Sequence, residues 1–540
     1  MDSGPQPNPT TESKPKATTF VQDAEKDLEK GPASGTAGEG ASRAPSTSVS
    51  EAVTGEQQQQ QQHQEQGKPQ EDDPNLVGWD GDDDPENPLN WTSKKKWTNL
   101  ALLSLVTLIT PLASSMFAPG IPQVLRAFHN SNNLVASFVV SVYILGFATG
   151  PLVIAPLSEM YGRVPMYHAG NVGFIIFTIA CAVSNSLGML IAFRFLAGCF
   201  GAVCITIGAG TIADVMPVEK RGGAMAIYAM GPLLGPVIGP VCGGFLVEAK
   251  GWRWVFWLLA IVSGAVTIAC FALLRETFAP VLLSRKTKRL RKETGNPSLR
   301  SKLDTGIPHK ELLIRAVIRP TKMLFLSPIV GLMSLYVAVV YGILYLLFTT
   351  FTFVFEGQYG FSSGTVGLTY IGIGIGMILG LALVGKLSDA TLRRVKASGH
   401  EMKPEHRLPF ILTGPPACCI PAGLLIYGWT TQYHEHWAIA LFGTLLIGFG
   451  LLACMMCVQT YLVDAYTKYA ASAMAANAVL RSVFGALLPL AGLDMYDALG
   501  LGWGNSLLAF LALVLVPVPM IFRTFGERIR HSKAGQVRFD

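Results

Sequence analysis

Apolar residues dominate this chain in long runs, and polar residues gather between them. Twelve runs near the length of about 20 residues that a helix needs to cross a bilayer fall at 98–118, 134–156, 166–186, 188–212, 223–246, 254–274, 325–349, 365–386, 409–429, 437–462, 471–493 and 503–522. The pattern predicts an all-α membrane protein with twelve transmembrane helices. Two segments break the rhythm. Residues 1–90 are rich in Pro, Ser, Gly and Glu, carry a glutamine run from Gln57 to Gln62, and turn acidic at Asp82-Asp83-Asp84. Such a segment cannot bury a core and is expected to be a disordered cytosolic tail. Residues 275–324 are strongly basic through Arg285, Lys286, Lys288, Arg289, Arg291 and Lys292. We expect a solvated cytosolic loop there, dividing six-helix halves at 91–274 and 325–522, rather than a specific site for anionic lipid. Residues 523–540 form a second tail.

Composition agrees. Half the residues are hydrophobic, 14% are charged and the chain has 56 glycines; mean hydropathy is +0.39. A soluble chain carries about 25% charged residues. Positive residues near span ends stay in the cytoplasm and so set the orientation. Lys94, Lys95 and Lys96 precede span one, Lys220 and Arg221 lie between spans four and five, Arg393, Arg394 and Lys396 follow span eight, and Arg523, Arg528 and Arg530 follow span twelve. The opposite loops hold chiefly Arg126, Lys250 and Arg253. Both termini are therefore expected in the cytosol, with the late first span acting as an uncleaved anchor. The sequon Asn90-Trp91-Thr92 then lies on the cytosolic side and is expected to carry no glycan.

Span five carries Gly231-Pro232, Gly235-Pro236, Gly239-Pro240 and Gly243. Residues four apart share a helix face, so the glycines form a groove that a neighbouring backbone can enter, and the prolines bend the helix. By itself this is a packing seam. A second signal is repetition: Ala155-Pro156-Leu157-Ser158-Glu159-Met160-Tyr161-Gly162-Arg163 ends span two, and Gly385-Lys386-Leu387-Ser388-Asp389-Ala390-Thr391-Leu392-Arg393 ends span eight. Internal repeats of this kind build secondary transporters whose midplane site opens to each side in turn. Span eight also repeats the glycine spacing at Gly372, Gly376 and Gly380, so spans five and eight are expected to meet between the halves.

Charges inside the spans are few. Arg194 in span four and Arg481 in span eleven each cost several kcal/mol (about 3 on insertion scales) unless paired or wetted, which marks them as functional; for Arg194 the alternative is snorkelling to the surface. Asn477 lies one turn from Arg481, and Gln459 and Tyr461 lie in span ten. Span seven carries Tyr336, Tyr341, Tyr345 and Phe348. These are either packing and interfacial residues or a cavity wall with hydroxyl handles, suited to bulky, partly aromatic or cationic compounds. Asp214 and Asp464 end spans four and ten as another repeat pair. Each either exchanges protons or caps its helix and pairs with Arg221 or Lys468.

The stretch Ala155 to Arg163 resembles the signature loop between spans two and three of the major facilitator superfamily, and the repeated Gly-Pro of span five resembles the antiporter motif of its proton-driven drug exporters. Asn87 to Trp91, Glu276 to Leu282, Tyr461 to Tyr466 and Ala470 to Arg481 resemble the fungal twelve-span drug:proton antiporters, over residues 85–530. The resemblance implies the major facilitator fold, with two pseudo-symmetric halves. It implies gate roles for Glu159, Gly162 and Arg163, with Asp389 and Arg393 as partners, and a proton-coupling role for Arg194. Ala155, Met160 and Val164 depart from the signature pattern.

The implied function is antiport of amphipathic drugs, fungicides or a self-made toxin across the plasma membrane. The expected partners are a small-molecule substrate, protons and the bilayer, in a monomer; no cofactor, metal or nucleic acid is expected. Polyamine export is the alternative, and a transport-fold nutrient sensor signalling through residues 1–90 is the alternative of another class. Gly380 to Leu387 approaches a nucleotide-binding loop, but Leu387 stands where that motif needs Ser or Thr, and no enzyme is inferred. Cys454 and Cys457 lack a second pair and are read as apolar packing residues.

Overall fold

A backbone in hydrocarbon can satisfy its polar groups only within the chain, so long apolar runs must become helices. The computed structural model describes residues 75–532 apart from 82, 305, 307–308 and 398–402, and their side chains apart from 218–219, 309–310, 312–313, 389–390, 392–397 and 468. Span one is Ser93–Ser115, continued through a short turn to Ala127. Spans two to six are Asn133–Tyr161, Arg163–Ala182, Leu187–Val215, Val218–Lys250 and Arg253–Leu273; spans seven to ten are Pro328–Tyr359, Ser363–Ala397, Phe410–Gln432 and Trp437–Ala465.

Among the described residues, eleven helical stretches are long and apolar enough to cross a membrane, but the last, Ala470–His531, has 62 residues. It reverses at Gly500 (φ 76, ψ 168), a backbone that a side chain would strain. Two crossings result. Span eleven runs from Ala470 to the reversal, and span twelve returns beside span nine and continues into the amphipathic helix Pro517–His531. Twelve spans place the first and last helix ends on one face, called the terminal face below; the opposite one is the far face.

Span seven has 78% of its apolar window buried, against 39% for spans three and six. Span seven is therefore central, and spans three and six are peripheral. Span five runs unbroken through its three prolines, and its glycine face receives span one. A Cβ on Gly235 would sit 2.8 Å from the Leu112 nitrogen, one on Gly239 2.6 Å from Ser115 Oγ, and one on Gly243 would strike the Met116 carbonyl. Spans five and eight do meet, as expected, but through a different face. Gly376 and Gly380 pack on Leu445 and Phe449 of span ten, and Gly372 on Leu441 and Thr444. The contact between halves uses Gly244, Gly364, Gly367 and Gly374. Span two meets span eleven at the second seam between the halves.

The expected tail up to residue 74, and residues 533–540, lie outside the described residues. Within it, the expectation of disorder fails for residues 75–90. Leu76–Val77 pairs in parallel with Arg300–Ser301, and the buried Asp84 accepts hydrogen bonds from the backbone of Asp80 (2.9 Å) and Glu86 (2.8 Å). The basic segment is likewise more than a solvated loop. It forms the helices Ala279–Thr294 and His309–Leu326, and Lys286 is buried against Asp84 (3.1 Å) and Asp80 (2.7 Å). Composition hid this strap, since a buried charge pair, with only a few apolar residues such as Val77, anchors it.

Two outcomes follow. Gly243→Leu should drive span five off span one, costing about 1–3 kcal/mol or more; thermal unfolding in detergent should show a clear loss, while Gly385→Ala, where a methyl meets nothing within 4 Å, should unfold like the parent. For the strap, burial raises the Asp84 pKa, but the backbone donors and Lys286 outweigh it and hold it below the usual value. A lowered pKa contributes stability above the unfolded carboxyl pKa of about 4, lost as pH falls through the folded value. The protection factors of residues 75–90, corrected for the pH dependence of intrinsic amide exchange, should therefore fall on acidification, and in Asp84→Asn at neutral pH.

Candidate functional site

At the terminal face the N-terminal half is tied by a small charge network. Gly162 (φ 102) makes the one-residue turn between spans two and three, and a Cβ there would collide with the Glu276 carboxylate. That carboxylate accepts the backbone N–H of Arg163 (2.9 Å), Val164 (3.2 Å), Thr277 (3.1 Å) and Phe278 (3.1 Å). It thus caps span three, where an anion meets the positive helix end. Arg163 donates to Ser158 Oγ (2.7 Å) and Asp214 (3.4 Å) and lies 4.5 Å over the Phe278 ring. Asp214 also accepts from Thr277 Oγ1 (3.3 Å).

The sequence reading kept the signature loop, Asp214 and the Glu276 stretch apart; the fold brings them together. Glu276 is the residue it missed, although Glu276 stands in a stretch already singled out by resemblance. Asp214 is paired with Arg163 and not with the expected Arg221. Arg221 instead donates to the carbonyls of Ala213 (3.1 Å) and Met216 (3.5 Å). Its repeat partner Asp464 holds Arg407 (2.6 Å), just before span nine, while the Lys468 side chain lies outside those described. The buried Glu405 takes Arg530 (3.4 Å). Glu159 is exposed and is in no ion pair among the described residues. Asp389 and Arg393 lie on span eight, with side chains outside those described.

Mid-span, Arg194 is 1% exposed, so it does not snorkel. Nη2 donates to the carbonyls of Ser114 (3.3 Å) and Val140 (3.4 Å), Nε has no partner, and the guanidinium faces the rings of Phe117 (4.8 Å), Tyr143 (5.4 Å) and Phe256 (5.9 Å). Ser114 Oγ in turn lies 3.2 Å from the Tyr345 hydroxyl across the boundary of the halves. Tyr345 packs on Tyr341 at 5.0 Å and on Phe348 at 5.5 Å, and Tyr341 lies 4.8 Å from the Arg481 guanidinium. Asn477, one turn away, is buried with its Nδ2 unpartnered. Tyr336 is not part of this line, because five residues turn it well off the shared face of Tyr341 and Tyr345; it is buried with its hydroxyl unpartnered. Gln459 is half-buried in span ten, and Tyr461 is buried near Gly526, toward the terminal face.

At the far face the halves are bridged. Asn133 donates to Asp494 (3.2 Å) and Asp497 (2.7 Å). Glu248 accepts from Ser362 (3.1 Å) and the Gly364 nitrogen (2.9 Å), and Thr352 donates to the Ala118 carbonyl (3.2 Å). The described hydrogen bonds that join the halves lie at mid-span or at this end. The sequence reading missed this latch, because single polar residues in short loops carry no motif.

Comparison with known proteins fits this architecture. Residues 103–489 match the model of the Major Facilitator Superfamily. The chain is 58% identical to the MFS-type transporter penM of Penicillium rubens, covering 86% of this chain and 92% of that one. It is 55% identical to the efflux pump radE of Floropilus chiversii, covering 87% and 88%. Among solved structures it resembles a bacterial homologue of the human lysosomal transporter Spinster, inward-facing and unoccupied, with a TM-score of 0.58 at 16% identity over 81% of this chain and 98% of that one. The xylose transporter XylE of E. coli, partially occluded and inward open, gives a TM-score of 0.57 at 14% identity over 80% and 98%. With two six-helix halves, the paired ends of spans four and ten, and a family match over most of its length, the chain belongs to the major facilitator superfamily, in its fungal branch of efflux transporters.

Proposed function

We propose that this protein exports amphipathic, partly aromatic organic compounds, including a self-made toxic metabolite or fungicides, across the plasma membrane in exchange for protons. The observation that carries the reading is Arg194, fully buried among carbonyls and rings and linked through Ser114 to Tyr345 of the other half. A charge so costly to bury, held inside the N-terminal half and one serine away from the seam that must open, is suited to sensing what binds there. The naming of a 55% identical relative as an efflux pump supports the direction of transport. The terminal face is cytosolic in this reading, since the lysines and arginines gather there.

Transport then alternates between the far-face closure and a state closed at the terminal face. The substrate enters from the cytosol and stacks against Tyr341 and Tyr345. Protons arriving from the far side protonate Asp214 or Asp464 and release Arg163 or Arg407, which loosens the cytosolic ends of the spans and lets them part; the protons leave to the cytosol as the pairs re-form, and the next substrate drives the return. Protons and substrate favour different states, so each drives the other.

Purified protein in liposomes should move a fluorescent aromatic dye only while a proton gradient is imposed. Arg194→Ala should abolish that movement with folded protein intact; full retained transport would remove Arg194 from the mechanism. Breaking the latch with Asn133→Ala should shift the balance toward the state open at the far face. A cysteine placed near Asp494 should then label faster from the outside, by severalfold, and an unchanged rate would show that Asn133 holds nothing shut.

A further inference from the structure

The twelve spans contain acidic residues only near their ends: Glu159, Asp214, Glu219, Glu248, Glu356, Asp389, Asp464, Asp494, Asp497 and, on the terminal helix, Glu527. The two ionised groups at mid-span are both arginines. Arg194 comes from the N-terminal half and Arg481 from the C-terminal half, and the line Arg194, Ser114, Tyr345, Tyr341, Arg481 runs unbroken across the seam through the contacts at 3.3, 3.2, 5.0 and 4.8 Å. Neither arginine has a carboxylate partner among the described residues, and the Nε of each is buried without a hydrogen bond. The Nδ2 of Asn477, a further donor one turn from Arg481, is also buried and unpartnered.

Buried donors are normally satisfied, and buried charges are normally paired. Here the missing partner has a definite chemistry: it accepts hydrogen bonds and carries negative charge, and the half-buried ring of Tyr341 beside the half-buried Arg481 offers its body an aromatic surface. We infer that the transported compound is an organic anion, a carboxylate or acidic phenol or enol on an aromatic or unsaturated frame, whose charge lies between Arg194 and Arg481 while its body stacks on Tyr341 and Tyr345. This rests on the efflux reading and narrows its substrate class. The same field repels cations, which sets the inference against a cationic drug or a polyamine. It also accounts for a core without a titrating acid, because the substrate itself brings the negative charge.

The test uses two dyes on one ring frame, anionic fluorescein and a cationic rhodamine ester, with the full chain in detergent for binding by fluorescence polarisation and in liposomes for transport. Fluorescein should bind and move, and the rhodamine should do neither. Arg481→Gln should weaken fluorescein binding about tenfold or more, as removing one side of a charge-assisted hydrogen bond does. Arg481→Lys should recover most of it, which loss of fold would not allow; a thermal melt of each variant checks the fold directly. Rhodamine movement without fluorescein movement would overturn the anion assignment and leave efflux standing. Fluorescein binding unaltered in Arg481→Gln would also overturn it. Movement of neither dye under any imposed gradient would overturn both readings.

Discussion

Lipid is as apolar as leucine, so a helix in a bilayer gains little by burying leucine against another helix. Packing must come from close backbone approach and from polar links that lipid cannot supply. The glycine face of span five against span one is the strongest case, since a methyl at Gly243 would enter the Met116 carbonyl. This fixes span one within the N-terminal half, and span one carries Ser114. Ser114 offers its carbonyl to Arg194 and its hydroxyl to Tyr345. The position of the buried charge and its link to the other half therefore both depend on glycine spacing in a third helix.

The same scarcity of driving force explains where the charges sit. At the terminal face, Arg163 and Asp214 in one half and Arg407 and Asp464 in the other each tie the end of one span to the start of its neighbour. These pairs lie in the partly wetted end turns, where ion pairs cost little to form and little to break. Mid-span the cost is far higher, and the two groups there are held by rings and carbonyls in place of carboxylates. A fixed cation in such surroundings is an attractor for any anion that can reach it, and the seam is where access alternates.

Much of this was legible in the sequence. Span count, halves and the repeat pair Asp214 and Asp464 came from hydrophobic runs and spacing, which the bilayer imposes on every helix. Arg194 and Arg481 stood out by cost alone. What spacing could not supply was azimuth. Gly372, Gly376 and Gly380 repeat the period of span five, yet they face span ten, because period gives a stripe and not its partner. Tyr336 shares a helix with Tyr341 and Tyr345, but five residues carry it off their face. The strap at residues 75–90 was hidden for a different reason. Its composition offers few apolar residues to bury, and beside Val77 and Pro88 it buries Asp84 against Lys286.

The far-face closure is made of small terms. Asn133 gives two hydrogen bonds, Glu248 receives two, and Thr352 gives one. At about 1 kcal/mol net apiece, they amount to on the order of 5 kcal/mol if fully additive, and less because Glu248 is exposed to water and Asn133 only half-buried. Reversing a two-state ratio from about 1:99 to 99:1 takes a differential affinity of about 5.5 kcal/mol. A ligand that satisfies Arg194 and Arg481 in one state and loses them in the other supplies a differential of that order, since hydrogen bonds to a charge contribute about 1.5–3 kcal/mol each. On the transport reading proposed above, the latch is therefore weak enough for substrate to open and strong enough to hold shut without it, and the two arginines, one from each half, would feel the difference.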